Sequence, residues 1–191
     1  MAKSLEFFYD YVSPYSYLAN SQVARIGGSK LIYRPMFLGA VMQATGNRPP
    51  GAIEVKGKYL RNDIARWAKR YGIAYNRNPK FPQDTLKALR LAIVSQHCGA
   101  FEQVHKALFE AMFVHGSDMN DDKVLAEAMR VGGLDEGETF EKLSDRSIKD
   151  ELKANTDEAI GRGAFGAPTF YVGEQMFFGN DRFEFVEEAL G

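Results

Sequence analysis

The sequence LEFFYDYVSPYSYLANSQVARIGGSKLIYRPMF (residues 5–37) has the pattern of a strand, a helix and a second strand. The three predicted elements span residues 5–9, 15–26 and 31–37. Ser13-Pro14 suits the start of the helix, because proline lacks only an N–H that the first helical turn leaves unpaired. Gly27-Gly28 suits its end. A strand–helix–strand unit of this length places its two strands parallel.

The pattern changes twice further along the chain. Residues 43–52 hold two glycines and two prolines, which predicts an irregular loop. From residue 56 to about residue 161 the pattern is helical, with predicted helices at 59–71, 85–97, 101–114, 122–131 and 148–160. Two short apolar runs, 169–172 and 175–178, then flank Gly173-Glu174 and predict a hairpin. A last helix is predicted to begin near Asp181.

This order predicts one α/β domain of βαβ–ββα type that is interrupted by a large all-helical insertion. We place the α/β domain at residues 1–40 and 162–191 and the insertion at 41–161.

Hydrophobic residues make up 45% and charged residues 26%, as in soluble globular proteins. The net charge of -1 gives no attraction to a polyanion, so nucleic acid and membrane are not expected partners. A signal-peptide pattern is absent, which predicts a cytoplasmic protein.

A βαβ–ββα skeleton with a proline just before its third strand, here Pro168, is the thioredoxin arrangement. In thioredoxin-like proteins the first helix begins with a reactive cysteine in a CPxC-like pattern, and the equivalent stretch here is Ser13-Pro14-Tyr15-Ser16. Cys98 is the only cysteine, and we expect it to be a small buried hydrophobe. Because one thiolate must attack and a second thiol must resolve, the sequence excludes thiol–disulfide exchange.

The start of the first helix still suits an anion. It presents unpaired N–H groups and about half a positive charge, and Ser13 adds a hydroxyl donor. A thiol that a ligand brings to this point would have a lowered pKa, for the reasons that activate a cysteine there. A plain helix-capping role for Ser13 is the alternative interpretation.

Three segments carry a more specific signal: FYDYVSPYSYLA (8–19), FGAPTF (165–170) and FGNDR (178–182). They resemble the signature segments of the 2-hydroxychromene-2-carboxylate isomerases, bacterial relatives of the kappa-class glutathione transferases with a DsbA-like thioredoxin fold. Further matches at GNRPP (46–50), at 59–72 and at 78–79 follow in the expected order. The resemblance covers essentially the whole chain.

The resemblance implies a glutathione site built from both ends of the chain. Ser13, the catalytic residue, would hydrogen-bond the sulfur, and Ala167, before a cis Pro168, would offer its backbone to the cysteinyl unit. Asp181 would meet the γ-glutamyl ammonium; capping of the last helix, with Glu184, is its alternative role. The implied glutathione-binding set is Ser13, Ala167, Pro168, Gly179, Asn180, Asp181 and Arg182. A structural ion pair is the alternative for Arg182.

For an aromatic substrate the resemblance implies residues of the helical insertion, namely Asn47, Arg48, Tyr59, Asn78 and Pro79. An aromatic carboxylate needs a cation and an apolar slot, and Arg48 could serve as a bidentate partner. A solvated Arg48 is the alternative. Met42 stands where several relatives carry a lysine, which puts the substrate in question and leaves Lys56 and Lys58 as possible replacements.

The implied reaction is reversible addition of the glutathione thiolate to 2-hydroxychromene-2-carboxylate, giving trans-o-hydroxybenzylidenepyruvate after rotation about a single bond. The nucleophile belongs to the cofactor, and the protein positions it. A kappa-like glutathione transferase and a non-catalytic glutathione-binding protein are the alternatives. No metal is expected, because His97, His105 and His115 match no zinc pattern. The resemblance also implies a homodimer.

Overall fold

A computed structural model describes residues 3–27 and 30–191, so Gly28 of the predicted helix end lies outside the described residues. Strands β1–β4 span Ser4–Tyr9, Lys30–Pro35, Thr169–Val172 and Gln175–Phe178. Helices α1–α9 span Pro14–Val23, Leu38–Thr45, Glu54–Tyr71, Leu86–His97, Phe101–Phe113, Asp122–Val131, Glu136–Leu143, Arg146–Gly161 and Phe183–Leu190. A 3-10 helix, Pro50–Ala52, lies between α2 and α3.

The four strands form one mixed sheet in the order β2-β1-β3-β4. β2 runs parallel to β1, with Tyr33 opposite Phe7, as the strand–helix–strand pattern predicts. β3 runs antiparallel to β1, with Phe170 opposite Phe7, and pairs with β4 through the predicted hairpin. The helices α2 to α8 are inserted between β2 and β3. The prediction of a thioredoxin-like α/β fold with a helical insertion is therefore confirmed.

The alternation of β1 divides the core between the two faces of the sheet. Leu5, Phe7 and Tyr9 are buried in one cluster with residues of α1, α4 and α5. Phe8 points to the other face and joins a second cluster with residues of α2 and α8. Because successive side chains of a strand point to opposite faces of the sheet, the apolar run of β1 packs against helices on both faces. The insertion therefore packs on both faces of the sheet.

Two helices of the insertion were not predicted. α2 occupies part of the predicted loop and ends at Thr45, where Gly46 takes a left-handed φ of 69°. It also crosses the predicted boundary between the α/β domain and the insertion, at residues 40 and 41. The division of the chain into two domains therefore stays a prediction. α7 is short and charged, and begins where the Asp135 carboxylate accepts the Glu138 N–H at 2.8 Å. Among the described helices, none is long and apolar enough to cross a membrane.

Candidate functional site

Ser13 lies between β1 and α1, at the start of the first helix. Its side-chain oxygen accepts the Ser16 N–H at 3.1 Å, and Pro14 takes the first helical position, as predicted. Its backbone N–H is donated to the Asp10 C=O at 3.0 Å, which closes the turn after β1. Ser13 is thus a helix cap, and the same contacts hold its hydroxyl at the positive end of the α1 dipole.

The Ser13 hydroxyl joins the start of α1 to the loop before β3. It donates to the Ala167 C=O at 2.8 Å, next to a cis Ala167–Pro168 bond. We expected this C=O to be available to a ligand, but the Ser13 hydroxyl donates to it. The N–H groups of Ala167 and Tyr15 have no acceptor among the described residues. Two backbone donors and one hydroxyl therefore meet at this point.

The predicted γ-glutamyl residues lie between β4 and α9. Asn180 is buried: its C=O accepts the Tyr71 hydroxyl at 2.8 Å, and its amide donates to that hydroxyl at 3.3 Å. The Asp181 carboxylate pairs with Arg182 at 2.7 Å, which is the alternative role given to Arg182. Burial raises the pKa of the Tyr15 hydroxyl, and the nearby charge of Asp181 adds to this effect. Asn180 thus joins the turn before α9 to Tyr71 at the end of α3.

The predicted capping role of Asp181 is wrong. Helix α9 begins at Phe183, its N-cap is Arg182, and no side chain caps it. Asp181 lies one residue too early, and its carboxylate is engaged by Arg182. The preceding Gly179 has a φ of 108°, a backbone conformation that favours glycine. The chain is still in a turn at Asn180 and Asp181, so the helix begins two residues after Asp181.

The predicted substrate residues fall into two groups. The Asn47 amide donates to the Phe165 C=O at 2.8 Å, which brings Asn47 and Arg48 beside the loop that carries Ala167. Tyr59 is 61% exposed, and its hydroxyl lies 3.5 Å from Asp63, at the limit of a hydrogen bond.

Asn78 and Pro79 lie elsewhere, beside the C-terminal end of α5. Asn78 is 2% exposed. Its amide donates to the C=O groups of Met112 and Ser117 at 3.0 and 2.8 Å, and its oxygen accepts the Lys80 N–H at 2.9 Å. These bonds use both amide hydrogens and the amide oxygen, so the side chain acts as an internal brace. A substrate-binding role for these two residues stays a prediction.

Asp10 supports the site and was missed by the sequence reasoning. Its fully buried carboxylate accepts the Val12 N–H at 3.0 Å, the Leu38 N–H at 2.9 Å and the Thr85 hydroxyl at 2.6 Å. Burial raises the pKa of the Asp10 carboxyl, and these three hydrogen bonds act in the opposite direction. Asp10 therefore joins the turn before Ser13 to the starts of α2 and α4. The sequence signal that could have revealed this role of Asp10 is an acidic residue directly after an aromatic strand.

His105 is the second supporting residue that the sequence did not reveal. Its Nδ1 lies 2.8 Å from the Tyr11 hydroxyl and its Nε2 lies 2.9 Å from the Asn20 Oδ1. Because Oδ1 of an amide only accepts, Nε2 carries the proton and Nδ1 accepts from Tyr11. Burial lowers the pKa of the imidazole from 6.5 to about 3. A neutral His105 thus fastens α5 to α1 and to the turn before Ser13.

Other reactive groups lie apart from this site. Cys98 is exposed at the end of α4, so the prediction of a buried cysteine is wrong. It follows the last turn of the helix, where the chain leaves the core. Within the described ranges, no group of three or more histidine, cysteine or acidic side chains could hold a metal ion. The groups that meet at the start of α1 are hydroxyl and N–H donors.

Comparison with known proteins connects the fold and the site. A family model described as DSBA-like thioredoxin domain matches residues 4–191. A 2-hydroxychromene-2-carboxylate isomerase of Sphingobium xenophagum is 31% identical over 195 residues, which cover 100% of this chain and 99% of that protein. Glutathione S-transferase kappa 1 of Homo sapiens is 29% identical, with coverage of 100% and 92%. The solved structure of a 2-hydroxychromene-2-carboxylate isomerase has a TM-score of 0.86 at 29% identity, with coverage of 98% and 94%.

The sheet, the cis proline and the serine at the start of α1 define a DsbA-like thioredoxin protein in which serines replace the redox cysteines. The chain belongs to the DSBA-like thioredoxin family, within the group of 2-hydroxychromene-2-carboxylate isomerases and kappa-class glutathione transferases. The resemblance inferred from the three sequence segments is thereby confirmed.

Proposed function

We propose that this protein is a glutathione-dependent isomerase that converts 2-hydroxychromene-2-carboxylate to trans-o-hydroxybenzylidenepyruvate. The observation that carries the proposal is the Ser13 hydroxyl, held at the start of α1 and 2.8 Å from the Ala167 C=O. The isomerase of Sphingobium xenophagum, 31% identical along the whole chain, supports the choice of reaction. The proposal includes the cytoplasmic location predicted from the sequence pattern and the homodimer that the resemblance implies. Sedimentation of the purified protein tests the homodimer.

The donors and acceptors of the site fit a peptide that carries a thiol and an ammonium. The unpaired N–H groups of Tyr15 and Ala167 favour a negative charge near Ser13. The buried Ser16 hydroxyl, one helical turn further on, has no hydrogen-bond partner among the described residues, so the helix start holds an unused donor. Asp181 would exchange its ion pair with Arg182 for an ammonium group. Ser13, Ala167, Asn180 and Asp181 would therefore hold glutathione.

Ser13 is the residue that prepares the thiol. When bound, glutathione supplies a thiol that adds reversibly to a conjugated double bond and leaves a single bond free to rotate. For the Ser13 hydroxyl to donate to sulfur, it must turn away from the Ala167 C=O, which then becomes available to a ligand N–H. The Ser16 N–H stays on the Ser13 oxygen and polarises its O–H. A hydrogen bond to the charged form lowers the thiol pKa.

A kappa-like glutathione transferase is the second candidate, and relatives of that name at 28–29% identity favour it. It would use the same thiol-binding residues but keep the thioether as its product. Product analysis separates the two, since an isomerase returns glutathione unchanged. The third candidate, a non-catalytic glutathione-binding protein, predicts binding with neither product.

The test is a calorimetric titration with glutathione, combined with ultraviolet detection of the thiolate as the pH is varied. Ser13→Ala should raise the pKa of the bound thiol by one to two units, because a hydrogen bond to a charged group contributes about 1.5–3 kcal/mol and one unit corresponds to about 1.4 kcal/mol. Ser21→Ala is the matched control: its hydroxyl lies on the same helix but is bonded to the Leu18 C=O.

Three results would contradict parts of the proposal. If glutathione does not bind at millimolar concentration, the glutathione-dependent reaction is wrong. If Ser13→Ala and Ser21→Ala leave the same thiol pKa, Ser13 is only a helix cap. If the thiol behaves as expected but turnover yields a thioether, the transferase is correct and the isomerase is not.

A further inference from the structure

The basic residues of this protein are unevenly distributed. Helix α3 contains six lysine and arginine residues and two acids, a net charge of +4. The rest of the chain contains 18 basic and 23 acidic residues, a net charge of −5. The overall charge of -1 predicted no attraction to a membrane, but a surface acts through the charges within about a Debye length, roughly 8–10 Å at physiological salt. The local charge of α3 therefore decides what its surface attracts.

Four of the six cations of α3 lie on the face that points away from the core. Gly57, Ile64 and Ala68 are the buried positions of the helix, and Ile64 and Ala68 pack in one cluster with Leu18 of α1. The opposite side carries exposed residues spaced three or four apart, which we call the outward face of α3: Val55, Lys58, Asn62, Arg66, Lys69 and Arg70. The outward face thus has four positive charges and no acid.

These four cations have no acidic partner within the chain. Not one of them lies within 4.0 Å of an acidic group among the described residues, although nine other lysines and arginines of the chain do. Of the two acids of the helix, Glu54 lies in the first turn, and Asp63 accepts the Tyr15 hydroxyl of α1 at 2.8 Å. The positive charge of the outward face is therefore left for a group outside the chain.

Exposed aliphatic side chains lie at one end of the same surface. Val55, in the first turn of α3, is 75% exposed, and Ile53, directly before the helix, is 50% exposed. The phosphates of a nucleic acid pair with cations alone. A lipid bilayer offers anionic headgroups to the cations and the boundary of its acyl chains to aliphatic side chains. The combination of four free cations with two exposed aliphatic residues therefore favours an anionic bilayer.

We propose that the outward face of α3 binds the surface of anionic lipid bilayers. Its four cations lie among the headgroups, and Ile53 and Val55 enter the boundary of the acyl chains. Clusters of four or more lysines and arginines on one helix are typical of proteins that bind anionic lipids, and each cation near the surface strengthens binding about fivefold. The contact uses none of the residues that would hold glutathione, so it is independent of the proposed reaction.

The test is flotation of the protein with vesicles of equimolar phosphatidylglycerol and phosphatidylcholine, compared with vesicles of phosphatidylcholine alone. Wild type should bind the mixed vesicles more tightly by a factor of at least about 100, and high salt should abolish the preference. Arg66→Gln combined with Lys69→Gln should weaken this binding about 25-fold, about fivefold for each cation. Lys142→Gln combined with Lys149→Gln is the matched control, because it removes two exposed lysines from α7 and α8, and it should leave the binding unchanged.

Val55→Ser tests the aliphatic part of the contact and should weaken binding to the mixed vesicles about tenfold without changing its dependence on salt. Equal binding to the two kinds of vesicle, or binding to neither, would overturn the inference. So would an equal loss of affinity in the two double variants, because only the overall charge would then matter. If a single-stranded DNA binds as tightly as the mixed vesicles and Val55→Ser changes neither affinity, the surface fits a nucleic acid and the inference is wrong.

Discussion

Acid should destabilise this protein through one buried imidazole, that of His105. The side chain is 4% exposed, and burial lowers its pKa from 6.5 to about 3. The unfolded chain therefore takes up a proton as the pH falls below 6.5, while the folded protein stays neutral until about pH 3. The stability present above pH 6.5 is lost across this window at about 1.4 kcal/mol per unit. Between pH 7 and pH 5 the loss is about 2 kcal/mol.

Urea unfolding of wild type and His105→Gln at the two pH values measures this loss. Glutamine keeps a donor and an acceptor for Asn20 and Tyr11 but does not titrate. The variant should be less stable at pH 7 and should lose about 2 kcal/mol less than wild type at pH 5. Groups that titrate elsewhere contribute to both proteins and cancel in the difference. His97→Gln is the control: it removes a half-exposed imidazole at the surface, and its loss of stability should be parallel to that of wild type.

Parallel losses for wild type and His105→Gln would refute the reasoning, because they would show that the imidazole is not forced to stay neutral. The result also bears on the site. The Tyr11 hydroxyl donates to His105, and Tyr11 precedes Ser13 by two residues. Protonation of Nδ1 would remove that acceptor. The folded imidazole stays neutral between pH 7 and pH 5, however, so the contact with Tyr11 is kept and the glutathione affinities of wild type and His105→Gln should change in parallel over this range.

Two further predictions concern the framework around Ser13. Asp10→Ala leaves three donors without their acceptor and should lower the free energy of unfolding by about 3 kcal/mol, against about 1 kcal/mol for Thr85→Val, which removes one donor; equal losses in urea unfolding would contradict this. A Cβ on Gly166 would lie 2.7 Å from the ring of Phe178. Gly166→Ala should therefore displace the loop before Ala167 and weaken glutathione binding in calorimetry. The double variant with Phe178→Ala should recover the affinity, and a failure to recover would assign another role to Gly166.

The sequence predicted the elements whose signals are local. The aromatic run of β1, the Ser13-Pro14 helix start and the hairpin at Gly173-Glu174 each depend on neighbouring residues, and all three are confirmed. α2 was missed because its start is held from a distance, by the Asp10 carboxylate on the Leu38 N–H. A side chain 28 residues away cannot be read from the helix sequence itself.

The candidate site shows the same difference between local and distant signals. The resemblance selected Ser13, Ala167 and Asn180, and the fold brings them to one end of the sheet, although their ligand roles stay predictions. Its supporting residues, Asp10 and His105, act through contacts with partners up to 94 positions away in the chain. The error at Asp181 is a shift of one residue: the turn after β4 includes Asn180 and Asp181, and Arg182 takes the N-cap position.

Helices α2 to α8 are inserted between β2 and β3, and this position affects how such proteins diverge. The four-stranded sheet pairs β1 with β3 directly, so its register does not depend on residues 48–60. The serine and the cis proline loop belong to the sheet framework, whereas residues 48–60 belong to the inserted segment. Mutations in that segment can accumulate while the framework that positions Ser13 and Pro168 is inherited unchanged. Relatives that share this framework can thus differ in the helices that surround it.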